Sequence, residues 1–127
     1  MPPKGLTDEF FNPLFQLLNW EYTDATFNEK KLEIRGLVDK FIFQPLSEEN
    51  KQFITRKAKA NRFPVPPPLN YLVQFDFIKD QIAIVLELVK DIKSFEELYS
   101  KFDSDSDYTI NKFNQALSEV VTAKKNS

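Results

Sequence analysis

Three aspartates at alternate positions, Asp103, Asp105 and Asp107, are the residues whose type and spacing most directly suggest chemistry. Carboxylates are hard oxygen ligands, and several of them in one short loop can hold a divalent cation such as calcium. The surrounding stretch, Phe102 to Asn111, reads FDSDSDYTIN. It offers two interpretations, a cation-binding loop or a polar turn between two helices.

The segment resembles the calcium-binding loop of the EF-hand family, and the resemblance covers about 25 residues. The three aspartates match the first, third and fifth positions of that loop, and Ile110 matches the eighth. The apolar residues that precede the loop have the offsets of an EF-hand's incoming helix, and they are Phe95, Leu98, Tyr99 and Phe102. This half of the motif implies a calcium module over residues 103–114.

The second half of the loop departs from the EF-hand pattern. The sixth position needs glycine for a sharp turn and holds Tyr108. The twelfth position needs a bidentate glutamate and holds Asn114, so the strongest calcium ligand is missing. We therefore predict a polar interhelical turn without a metal, in which Asp107 or Thr109 caps the last helix.

The chain contains neither histidine nor cysteine. It therefore cannot build a Ser–His–Asp or Cys–His catalytic site, a disulfide, or a zinc site of imidazole and thiolate ligands. Carboxylates and lysines could still transfer protons, but no constellation of them stands out. We predict a non-enzymatic protein with no catalytic residues and no cofactor.

Positive charge is concentrated in one short region. Residues 51–70 hold five basic residues and no acidic one, whereas the whole chain has a net charge of −2. The basic residues are Lys51, Arg56, Lys57, Lys59 and Arg62. On a helix, Lys51, Lys59 and Arg62 fall within about 80° of one another and form a positive stripe. With the neighbouring Phe63 and Tyr71, the five basic residues make up the predicted partner-binding site.

Helical spacing of apolar residues predicts an all-α fold, a single compact bundle of about five to six helices over residues 1–127. Asn12 and Pro13 have the residue types that cap and begin a first helix. A second helix is predicted from about residue 28 to residue 43, in which Gly36 either costs about 1 kcal/mol against alanine or marks a close crossing with another helix. Ser47 is the predicted cap of the basic helix.

Residues 63–69 include four prolines and cannot form a helix. We interpret them as an extended polyproline strap that joins two helical halves of one domain.

Residues 71–89 fit two patterns. Alternating apolar residues would give a β-hairpin and an α+β fold, but the intervening IKDQ lacks the glycine or asparagine of a tight turn. Helical spacing favours one long central helix instead.

These features favour a small subunit or adaptor that binds another protein with an acidic surface, through the basic helix and exposed aromatic side chains. One alternative is a small nucleic-acid-binding protein that uses the basic stripe of residues 51–62, although the acidic balance of the chain argues against it. Separately, the two helices on either side of the aspartates could form a helix-turn-helix whose second helix reads bases, although the aspartates would repel phosphate. A second alternative is the degenerate EF-hand-like calcium module at residues 103–114.

No stretch of the sequence has the length and apolar character of a membrane span, and the first residues lack the apolar run of an export signal. The longest apolar stretch, residues 71–89, is interrupted by several charged side chains. We therefore expect a soluble cytoplasmic protein without a membrane partner.

Overall fold

The computed structural model describes residues 5–102 and 112–125. In these ranges the chain forms helices and no strand, which confirms the predicted all-α bundle and excludes the hairpin alternative. The elements are α1 (Leu6–Leu18), α2 (Asp24–Glu29), α3 (Lys31–Val38), a π-helical segment (Asp39–Phe43), α4 (Glu48–Ala60), α5 (Leu69–Leu72), α6 (Asp76–Val89), α7 (Phe95–Lys101) and α8 (Lys112–Lys125).

The described residues contain eight α-helices, more than the five to six predicted. Two predicted helices are divided. The helix predicted over residues 28–43 breaks at Lys30 and ends in the π-helical segment. The helix predicted over residues 71–89 is separated into α5 and α6 by a turn at residues 73–74. Periodicity identified the buried faces but not these local interruptions.

Helix α1 begins at Leu6, so the prediction that Asn12 and Pro13 start it is wrong. Pro13 lies inside the helix, where it cannot donate the backbone hydrogen bond to the preceding turn. Phe10 and Phe11 are both buried in the core, at 0% and 4% exposure. Their burial stabilises the first turns enough to outweigh the missing hydrogen bond.

Helices α3 and α8 form the closest packing of the bundle, and Gly36 lies at their crossing. A β-carbon at Gly36 would lie 2.5 Å from the carbonyl oxygen of Phe113 and 2.8 Å from the β-carbon of Leu117. Only a residue without a side chain allows the two backbones to come this close. Of the two interpretations of Gly36, the structure therefore supports the close crossing.

The proline-rich strap runs between α4 and α5 and packs on the bundle. Pro66 and Pro67 are buried, and the chain bends at residues 65–66, so the predicted polyproline conformation is not continuous. Helices from both sides of the strap contribute to one hydrophobic cluster: α1 packs on α6, and α3 packs on α8. The strap thus holds α4 and α5 against a shared core.

The π-helical segment is stabilised by a buried side chain of α6. The backbone N–H of Gln44 donates to the carbonyl of Asp39 at 2.9 Å, five residues earlier. The Nε2 of Gln81, a residue only 8% exposed, donates to the carbonyl of Phe41 at 3.0 Å. The glutamine therefore satisfies a backbone acceptor in the wide turn.

Candidate docking surface

Helix α4, which carries the basic residues, begins at the predicted cap. The Ser47 hydroxyl accepts a hydrogen bond from the backbone N–H of Asn50 at 3.2 Å. Glu48 and Glu49 in the first turn face the positive end of the helix dipole. Only Ile54 and Ala58 of this helix are buried. Since so little of α4 is buried, it lies at the periphery and presents most of its circumference outward.

The basic side chains of α4 and the residues that follow it are largely exposed. Arg56, Lys57, Lys59 and Arg62 are exposed, and Lys51 is half-buried. Within the described residues, none of these five forms an ion pair. Their positive charge is therefore not neutralised by a neighbouring carboxylate and is available to a partner.

The basic residues do not form the single stripe beside the aromatics that the sequence predicted. Because the side of α4 that carries Ile54 and Ala58 faces the core, the orientation of the helix about its own axis is fixed. At 100° per residue, Lys57 then lies about 40° from Phe53, whereas Lys59 lies about 120° away. The ammonium of Lys57 is 5.6 Å from the centroid of the Phe53 ring. Arg62, at φ 60°, leaves the helical path altogether.

Five half-buried aromatic rings form a connected row beside α4, which we call the aromatic row, and it consists of Phe53, Phe63, Tyr71, Phe75 and Phe77. Ring centroids are 4.8 Å apart between Phe63 and Tyr71, and 5.9 Å apart between Tyr71 and Phe75. Phe75 lies 5.5 Å from Phe53, and it stacks on Phe77 at 5.7 Å. The row joins α4, the strap and the start of α6 into one surface.

The structure thus brings together Lys57, Phe63 and Tyr71 of the predicted site. The side-chain amide of Asn61, at the end of α4, lies 3.4 Å from the Tyr71 hydroxyl and links the helix to the row. Lys51 and Lys59 lie on the opposite flank of α4. The predicted site is therefore divided into a mixed aromatic and cationic side and a purely cationic side.

Sequence reasoning missed three members of the aromatic row, Phe53, Phe75 and Phe77. Helical spacing over residues 71–89 predicts that Phe75 lies inside one long helix, but α6 starts after it, so Phe75 is the N-cap residue of α6. Phe53 lies within α4 and is half-buried next to its buried side. One available signal was the four-residue spacing of Phe53 and Lys57, which places them on one helix face.

The calcium prediction falls on residues that the structure does not describe. Asp103, Asp105 and Asp107 lie between α7 and α8, outside the described residues, so the polar-turn interpretation stays a prediction. Among residues 5–102 and 112–125, no group of three acidic side chains could hold a metal ion. In the same ranges, no helix has both the length and the apolar character needed to cross a bilayer.

Arg35 in α3 is a further charged residue that the sequence did not single out. Its side chain is half-buried, and burial lowers the pKa of its guanidinium below the ordinary value, while the nearby Asp39 carboxylate acts in the opposite direction.

Comparison of the chain with models of protein families, with curated proteins and with solved structures found no match.

Proposed function

We propose that the protein is a cytoplasmic, non-enzymatic interaction module or small subunit that docks on an acidic surface of another protein. The docking surface consists of α4, Arg62 and the aromatic row. The observation that carries the proposal is the set of exposed cations of α4 without an ion pair within the described residues, of which Lys57 lies beside five half-buried, connected rings. Complementary charge steers association, and aromatic and arginine side chains supply most of the binding energy in many interfaces.

An acidic protein fits this surface better than a nucleic acid does. Proteins that bind single strands stack bases on free aromatic faces. In the aromatic row, Phe53 contacts Phe75 edge-to-face, and Phe75 stacks on Phe77 with an angle of 11° between the rings. Ring faces are thus partly covered within the row. The net charge of −2 also disfavours a polyanion as the main partner.

A pull-down from native lysate tests the proposal when variants of the docking surface are compared with wild type. Arg56→Glu/Lys59→Glu reverses two exposed charges of α4. Tyr71→Ser removes the ring that joins Phe63 to Phe75 in the aromatic row. We expect each variant to capture at least tenfold less of the proteins that wild type captures. We also expect those proteins to be rich in acidic residues.

Lys31→Glu/Lys93→Glu is the matched control, because both lysines are exposed, neither forms an ion pair within the described residues, and the change in net charge is identical. The control is expected to capture the wild-type set. Capture of the same proteins by wild type and Arg56→Glu/Lys59→Glu would contradict the proposal. Capture that disappears after nuclease treatment, together with salt-sensitive retention on heparin, would support the nucleic-acid alternative instead.

A further inference from the structure

A groove of about 360 Å³ lies between the residues that follow the π-helical segment, the outer side of α6 and the end of α7. Its apolar wall consists of Pro45, Ile84, Leu88 and Phe102. The polar side chains in the lining are two glutamines and Lys101. An apolar groove of this size with a few polar groups has the properties of a binding site.

The two glutamines, Gln44 and Gln81, offer hydrogen-bond acceptors to this groove. Nε2 of Gln81 donates to the carbonyl of Phe41 at 3.0 Å, and Nε2 of Gln44 donates to Oδ1 of Asp39 at 3.2 Å. Because carbonyl and carboxylate oxygens only accept, these bonds determine which end of each amide is the nitrogen. Within the described residues, both amide oxygens accept no hydrogen bond, and both remain accessible to solvent.

The wall of the groove is held in place by the core. Phe102 packs edge-to-face on the buried ring of Phe41, with ring centroids 5.0 Å apart. Since Gln81 is bonded to the carbonyl of the same phenylalanine, Phe41 fixes both an aromatic wall and an acceptor. Lys101 is exposed and forms no ion pair in the described part of the chain. A ligand therefore has little of the wall to order when it binds.

An indole ring is the group that these side chains recognise best. It has two apolar faces, one N–H donor and no acceptor, and a lysine ammonium over its face is favourable. An aliphatic group would displace water from the amide oxygens without replacing the hydrogen bonds. A carboxylate would face the same oxygens, and its attraction to the exposed Lys101 is weak. An ammonium would be repelled by Lys101.

The open side of the groove indicates that the ring comes from a partner protein. Ile84 is 52% exposed, so a small molecule would stay partly in water, whereas a side chain is covered by the protein that carries it. The groove also continues the docking surface. Phe77 of the aromatic row, Gln81 and Ile84 follow the four- and three-residue spacing of one helix face, and Phe77 lies about 10 Å from Ile84 along the axis.

We propose that this groove receives a tryptophan side chain of the partner protein. The indole ring packs against Ile84, Leu88 and Phe102, and its N–H donates to the amide oxygen of Gln81. Because the tryptophan belongs to a partner, this assignment rests on the proposed function and specifies a side chain that the partner must carry. N-acetyltryptophanamide is the matching probe, since it is uncharged and has the two peptide groups that flank the side chain in a protein.

Titration of the isotope-labelled full chain with this probe, followed in amide nuclear magnetic resonance spectra, tests the site. We expect shift changes at the backbone amides of Ile84, Leu88 and Phe102 and at the side-chain amide of Gln81. The analogue methylated at the ring nitrogen and N-acetylphenylalaninamide both lack the donor and should bind at least about fivefold more weakly. Equal affinity of the three compounds, shifts confined to the aromatic row, or no shift at millimolar probe would overturn the proposal.

Ile84→Ser and Leu32→Ser form a matched pair, because these are the two exposed large hydrophobic side chains of the described residues. Ile84→Ser removes part of the apolar wall and should bind the probe at least about fivefold more weakly than wild type. Leu32→Ser, on α3 and outside the groove, should bind it as wild type does. Unchanged binding in Ile84→Ser, or an equal loss in Leu32→Ser, would contradict the assignment.

The pull-down separates a failure of this groove from a failure of the docking surface. Ile84→Ser should capture less of the proteins that wild type captures, and Leu32→Ser should capture them fully. Full capture by Ile84→Ser, with loss of capture in Arg56→Glu/Lys59→Glu, would overturn the groove alone. Loss of capture in Ile84→Ser, with full capture by Arg56→Glu/Lys59→Glu, would overturn the docking surface on α4 and support the groove.

Discussion

At the scale of the residue, the absence of a side chain at Gly36 allows α3 and α8 to pack closely. Gly36→Ala would place a β-carbon 2.5 Å from the backbone oxygen of Phe113, which cannot rotate away. Alanine favours the helix by about 1 kcal/mol, but overpacking of this kind costs about 1–3 kcal/mol and more where backbone must move. We therefore expect a net decrease in the free energy of unfolding, measured by urea denaturation.

The matched control for this change is the other glycine of the chain. Gly5 is the N-cap residue of α1, and a β-carbon there meets no atom within 4 Å. Gly5→Ser supplies a capping hydroxyl and should leave stability unchanged or raise it slightly. If Gly36→Ala were as stable as Gly5→Ser, the close crossing of α3 and α8 would be disproved.

Ionisation of Tyr22 makes the stability of the protein vary with pH in the alkaline range. Its hydroxyl donates a hydrogen bond to Oδ1 of Asp8, and burial, with that carboxylate, raises the pKa of Tyr22 well above its ordinary value of 10.0. Above about pH 10 the unfolded state releases a proton that the folded state keeps. The free energy of unfolding should therefore fall as the pH rises through this range.

Tyr22→Phe isolates this effect because phenylalanine has no proton to release. Its free energy of unfolding should be about 1 kcal/mol lower than that of wild type at neutral pH, and the difference should shrink above pH 10. Denaturation at several pH values measures both quantities. A constant difference between the two proteins up to pH 12 would contradict the half-buried Tyr22–Asp8 hydrogen bond.

At the scale of the element, α4 is a peripheral helix whose first turn is closed by a side-chain cap. Only Ile54 and Ala58 are buried, and the Ser47 hydroxyl is the side-chain cap of its first turn. Ser47→Ala should cost about 1 kcal/mol and increase amide hydrogen exchange in α4 while α6 stays protected. Ser94→Ala, which removes the equivalent cap of α7, is the control and should act on α7 alone. An increase spread over all helices in Ser47→Ala would show that α4 is not a peripheral unit.

The helices also show which structural features could be predicted from the sequence and which could not. The cap at Ser47 and the helical character of α6 were predictable because they depend on local chemistry and on periodicity. The start of α1 was not, because burial of Phe10 and Phe11 overrides the proline signal at residue 13. The π-helical segment was not predictable either, since a side chain from another helix, Gln81, supports it.

The same distinction applies to the candidate sites. Exposure of Arg56, Lys57, Lys59 and Arg62 followed from their charge. The aromatic row did not, because it requires rings from α4, the strap and α6 to meet in space.

At the scale of the whole molecule, one hydrophobic cluster receives residues from both sides of the strap. The strap begins at Phe63, which belongs to the aromatic row. Because α4 and the strap are at the periphery, a partner can cover them without opening the core.

The most direct test of the docking surface is hydrogen–deuterium exchange of the full chain, with and without a partner recovered by the pull-down. We expect protection on binding to concentrate in residues 51–77, which contain most of α4, the strap, α5 and the aromatic row. Helix α8 should exchange equally in both states. Protection of α8 or α1, with residues 51–77 unchanged, would contradict the account.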